Sequence, residues 1–181
     1  MPLDLDLRWQ PVDGVGLEHC HVSEAADGVT VRSSLIGEFE GLAFGAFYEI
    51  ALDPDWTFRS LVLRRHDGGV LRLASNGEGD WKIDGQRAPA LEGCLDIDIS
   101  GSPLTNTLPI RRARFTDGTP QRFDMVWIPL DTLEPFRDGQ IYTKLDDTHF
   151  RYEAADGSFT QVLTVDADGF VLDYPTLFRR A

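Results

Sequence analysis

Asp-Gly or Asn-Gly recurs along these 181 residues, among other places at Asp27-Gly28, Asp67-Gly68, Asn76-Gly77, Asp84-Gly85, Asp117-Gly118, Asp138-Gly139, Asp156-Gly157 and Asp168-Gly169. Such pairs tolerate the positive φ that two-residue hairpin turns demand. Between them lie short runs rich in β-branched and aromatic residues, including 29–36, 42–52, 57–64, 70–74, 122–128, 140–144, 150–153 and 159–165. Runs of this length bounded by turn residues read as strands. In the last of them Phe159, Gln161, Leu163 and Val165 share one face.

No long stretch carries a sustained 3.6-residue apolar period. The chain therefore predicts an antiparallel meander of a dozen or more strands. A flat sheet of that size is unusual, so it should curl into a barrel or roll. One domain spanning 1–181 is expected, because no linker, low-complexity tract or charge block interrupts the pattern. About 70% of the unfolded chain's surface can be buried at this length, so no disulfide is required. Cys20 and Cys94 read as free thiols.

The one candidate helix follows Ser100-Gly101-Ser102-Pro103, near 102–113. Ser102 suits the N-cap and Pro103 the first helical position, and Thr107 offers a second start. Leu104, Leu108 and Ile110 supply its apolar side, which should plug the curled sheet.

The net charge of −13 argues against partners that carry phosphate backbones or anionic lipid surfaces. No run approaches the roughly 20 apolar residues of a membrane helix. The start, Met-Pro-Leu-Asp-Leu-Asp-Leu-Arg, lacks the features of a signal peptide, so a cytoplasmic location is expected.

Chemistry-bearing residues concentrate in Gly93–Arg112. Cys94, Asp96, Asp98 and Ser100 alternate with Leu95, Ile97 and Ile99, which sets both aspartates on one strand face. They form either a carboxylate pair for acid–base or metal work, or structural partners for Arg111 and Arg112 folded back over them. The two arginines suit a phosphate or carboxylate head group equally well. His19 and His21 share a strand face as His-x-His metal ligands do, with Glu18 and Cys20 opposite. A third and fourth ligand would have to come from elsewhere, so these read as surface or core histidines. There is no nucleophile elbow and no phosphate-cradling glycine loop. Most aromatics belong to the core, with Trp81, in its glycine-rich loop, suited to stacking on a ligand.

Several segments together resemble the bacterial family of putative glycolipid-binding proteins. They are Gly79-Asp-Trp81 with Asp84-Gly85, Leu91–Asp98, Ser102–Arg112, Gln140–Tyr142, Phe150–Glu153 and Gly169–Arg179. The specific part is 93–112; Leu104 stands where the family leads one to expect a bulkier aromatic. The resemblance implies a spiral β-roll, a large curled antiparallel sheet wrapped around one short helix, and homodimers. It also implies similarity in shape to carriers that hold acyl chains in an open barrel. The expected function is non-catalytic binding of a glycolipid or other amphiphile, its tail entering the roll beside the helix. Trp81, Asp96, Asp98, Asn106, Arg111 and Arg112 would meet the head group. No catalytic residue, metal or cofactor is assigned. The alternatives are an enzyme acting on a sugar or lipid conjugate through Asp96 or Asp98, and a dimeric β-protein with no small-molecule ligand.

Overall fold

A computed structural model describes residues 2–39 and 42–181. Fifteen strands form one sheet. Eight come first: β1 (Asp4–Pro11), β2 (Leu17–Ala25), β3 (Gly28–Phe39), β4 (Leu42–Leu52), β5 (Phe58–Arg65), β6 (Val70–Ser75), β7 (Trp81–Ile83) and β8 (Gln86–Arg87). Next is β9 (Asp96–Ile99), then a 3-10 turn over Pro103–Asn106 that runs into α1 (Thr107–Arg112). The remaining strands are β10 (Pro120–Ile128), β11 (Phe136–Lys144), β12 (His149–Ala154), β13 (Thr160–Val165), β14 (Val171–Tyr174) and β15 (Phe178–Arg180).

The order across the sheet is β8 through β1, then β15 back to β9, so the two chain ends pair in the middle. Neighbouring strands are antiparallel with one exception: β9 and β10 run parallel, Asp96 opposite Met125 and Ile99 opposite Ile128. That departs from the pure meander expected. A parallel pair cannot be joined by a tight hairpin and needs a crossover. Residues 100–119 are that crossover, and the helix lies in it.

The sheet curls without closing; β8 and β9 remain its edges. Its far ends approach where Gly93 N donates to Gly79 O at 2.9 Å. Both glycines have positive φ, +98° at Gly79 and +87° at Gly93, and a Cβ on Gly79 would sit 3.0 Å from the Gly93 Cα. Only glycine fits so close an approach.

Most Asx-Gly pairs lie at turns, but Asp138-Gly139 does not: β11 runs straight through it. Gly139 is there for space, because a Cβ would lie 2.8 Å from that of Ala155 and 2.5 Å from the Arg122 guanidinium.

The interior has two parts. The larger gathers Trp9, Tyr48, Phe58 and Trp81 with aliphatics of β1–β9, and includes Leu104 and Leu108 of the crossover. The smaller contains Ile110 with Met125, Tyr142, Tyr152, Leu163 and Tyr174. The crossover thus packs against both, and Leu104 and Leu108 are fully buried.

Candidate functional site

A cleft of about 520 Å³ opens beside the 3-10 turn. Asp98, Ser102 and Asn106 form its polar floor. Its walls are aromatic, with Trp127 from β10, Tyr152 from β12, Tyr174 from β14, and Phe159 and Phe178 nearby. The Tyr152, Phe159 and Tyr174 rings meet edge-on or tilted at 6.0–6.1 Å between centroids. Such contacts hold the rings in fixed orientations. The half-buried Asp138 and the exposed Asp156 also border it.

Asp98 reaches the floor because β9 ends there and the crossover folds back over it. Thr105 Oγ1 donates to Asp98 Oδ1 at 2.8 Å, and Gln140 Nε2 donates to Oδ2 at 2.5 Å. Tyr142 Oη donates to Asn106 Oδ1 at 2.9 Å, tying Asn106 to the same group. Burial raises the Asp98 carboxyl above its ordinary value, against the pull of the Gln140 and Thr105 hydrogen bonds; the Asp138 charge raises it further.

A second buried acid lies behind the turn. Glu18 of β2 is 3% exposed. Its Oε1 accepts from Tyr48 Oη at 2.6 Å, Ser33 Oγ at 2.7 Å and Ser102 Oγ at 2.9 Å. Its Oε2 has no protein partner. Burial pushes Glu18 up to about 6, the three hydroxyl bonds pulling the other way. Ser102 does stand at the N-cap of the 3-10 turn, but its hydroxyl makes no capping bond because it is directed to Glu18.

The residues singled out from sequence separate. Asp98 and Asn106 line the cleft. Asp96 sits under the crossover in a bidentate pair with Arg112, at 3.0 Å from Nε and 2.6 Å from Nη2. Arg111 lies over the Trp56 ring at 4.2 Å and pairs with Glu24 at 3.3 Å. Trp81 is buried, stacked on Phe58 at 5.0 Å, with Nε1 donating to Cys94 O at 2.8 Å. None of these four borders the cleft. The Asp96–Arg112 half of the back-folding expected from sequence is present, whereas Asp98 is left to neutral donors. His19 and His21 flank Asp6, His21 Nδ1 lying 3.0 Å from its Oδ1. Among the described residues no group of three or more His, Cys, Asp or Glu is placed to hold a metal ion.

Residues 6–180 match the family described as "Putative glycolipid-binding". The chain belongs to this family. Its structure is similar to the crystal structure of a DUF1089 family protein from Pseudomonas aeruginosa, with TM-score 0.82 and 39% identity. The likeness covers 91% of this chain and 92% of the other. Among curated proteins none matches. Within the family's fold, sequence reasoning missed Glu18 and the Tyr152–Phe159–Tyr174 wall. The signal for Glu18 was available: it shares a strand face with Cys20 and Val22, both fully buried. The wall has no such signal, because it is brought together from β12, β14 and the residue before β13, separate stretches of the chain. Among the described residues no helix is long and apolar enough to cross a membrane.

Proposed function

We propose that this chain binds a glycolipid or similar amphiphile in the aromatic cleft and does no chemistry on it. The observation that carries the reading is the cleft itself. Its volume of about 520 Å³ falls in the range of small-molecule sites, and its apolar walls with a few convergent polar groups have the make-up of one. Membership of a family described by glycolipid binding supports a binding role. The space for the ligand lies on the 3-10 turn's open side, since Leu104 of the turn and Leu108 of α1 are consumed by the core.

The buried Asp98, with its raised carboxyl, favours a second reading in which it serves as the acid of a hydrolase. The partner that sequence suggested for it, Asp96, is already held by Arg112. Binding without catalysis is therefore the better-supported reading. A homodimer and a cytoplasmic location are further parts of this proposal. Exposed Val15 and Ile36, beside a small hollow at the β2–β3 end, provide apolar surface for a dimer contact.

Native mass spectrometry on gently purified protein, alone and with a panel of amphiphiles of varied head group, tests the reading. A stoichiometric amphiphile adduct is expected. A protein that carries none and accepts none of the panel contradicts it.

A further inference from the structure

Resting on that reading, we propose that the cleft takes the uncharged sugar head of the amphiphile, head inward on Asp98 and Asn106, and rejects anionic heads. The charge of the lining is one-sided. Asp98, Asp138 and Asp156 border the space, and among the described residues no Lys, Arg or His does. The arginines next in sequence to lining residues are engaged elsewhere: Arg137 with Asp124 and the Glu92 carbonyl, Arg151 with Glu153, and Arg179 with Asp173. A phosphate, sulfate or carboxylate head would face three acids with no cation to meet it.

The hydrogen-bonding capacity left at the floor fits hydroxyl groups. Asp98 accepts one bond on each oxygen where a carboxylate has about four sites. Asn106 uses Nδ2 for a single long bond of 3.4 Å to Pro103 O, which leaves a second N–H free. A spare acceptor and a spare donor on adjoining floor residues match hydroxyls that both donate and accept. The Tyr152, Phe159 and Tyr174 rings offer apolar faces to a sugar's C–H surface. The lining also includes exposed apolar residues, Phe136 52% and Leu177 36% accessible. The alkyl tail leaves over them.

The experiment is a set of calorimetric titrations below the micelle threshold with three probes of one chain length: an alkyl glucoside, an alkyl phosphate and an alkylamine. The glucoside should bind at least tenfold more tightly than the phosphate. In the Asp138→Asn/Asp156→Asn double variant, which removes two wall charges and leaves the floor intact, that gap should narrow through stronger phosphate binding. Equal binding of glucoside and phosphate overturns this inference and leaves amphiphile binding standing. An amine that binds as tightly as the glucoside also overturns it, because charge attraction then accounts for the site. Binding of none of the three overturns both readings.

Discussion

Glu18 and Asp98 are both buried acids held by donors from the same turn, Ser102 for one and Thr105 for the other, yet only Asp98 borders open space. Glu18 faces the larger core, where Leu104 and Leu108 complete the packing. All three of its hydroxyl donors converge on one oxygen and the other is left bare. Asp98 faces the aromatic side, has a donor on each oxygen, and keeps room for more. The difference teaches that a polar group in a β-roll is architectural or functional according to what closes over it. Crossover residues seal the first site, while the second borders the open cleft beside the aromatic walls.

Asp96 sets the scale for a sealed charge. Its side chain is 1% exposed and Arg112 is its ionic partner. Arg112→Met should cost about 3–5 kcal/mol in urea unfolding, because the aspartate stays buried and uncompensated. Adding Asp96→Asn to that variant should recover part of the loss. A cost within 0.5 kcal/mol would show that β9 relaxes and lets water in.

Tyr48→Phe removes the shortest bond to Glu18 and should cost about 1.5–3 kcal/mol with no effect on amphiphile affinity. Altered affinity would break the separation between the two acids.

Glu18 also predicts a pH dependence. Its folded value of about 6 lies above its ordinary 4.5, so between the two the folded protein keeps a proton that the unfolded chain has released. Stability from this group is fully present below 4.5 and falls as pH rises through that window, by about 2 kcal/mol in all. Glu18→Gln should flatten that segment of a stability–pH curve measured by urea unfolding. An unchanged slope would place the titration elsewhere.

Asp98→Asn is the smallest expected change to the fold and the sharpest to binding. It should weaken alkyl glucoside binding about tenfold while shifting the melting temperature less than Tyr48→Phe does. The reverse pattern would make Asp98 architectural as well.

The sequence made the strands legible because their punctuation is local: an Asp-Gly pair dictates a turn wherever its positive φ is used. It failed at Asp138-Gly139, where the glycine makes room for Arg122 of β10 and Ala155 just past β12 and no turn forms. The helix was legible from Ser102-Pro103, but the parallel pairing of β9 was not, since strand direction depends on where the crossover returns. At the site, the type of residue could be read and its neighbour could not. Asp96 and Asp98 look identical in the pattern Asp-Ile-Asp-Ile; one step along the strand puts the first under Arg112 and the second on the cleft floor. Trp81 looked suited to stacking on a ligand because its loop is glycine-rich, yet Gly79 of that loop closes against Gly93 and the ring is buried.

The most direct test of the contrast between the two acids is a crystal structure of the protein with an alkyl glucoside bound. The account predicts the sugar between the Tyr152, Phe159 and Tyr174 rings, hydrogen-bonded to Asp98 and Asn106, with the Glu18 group unchanged. A glucoside seated elsewhere, or one whose alkyl chain occupies the floor beside Asp98, would contradict it.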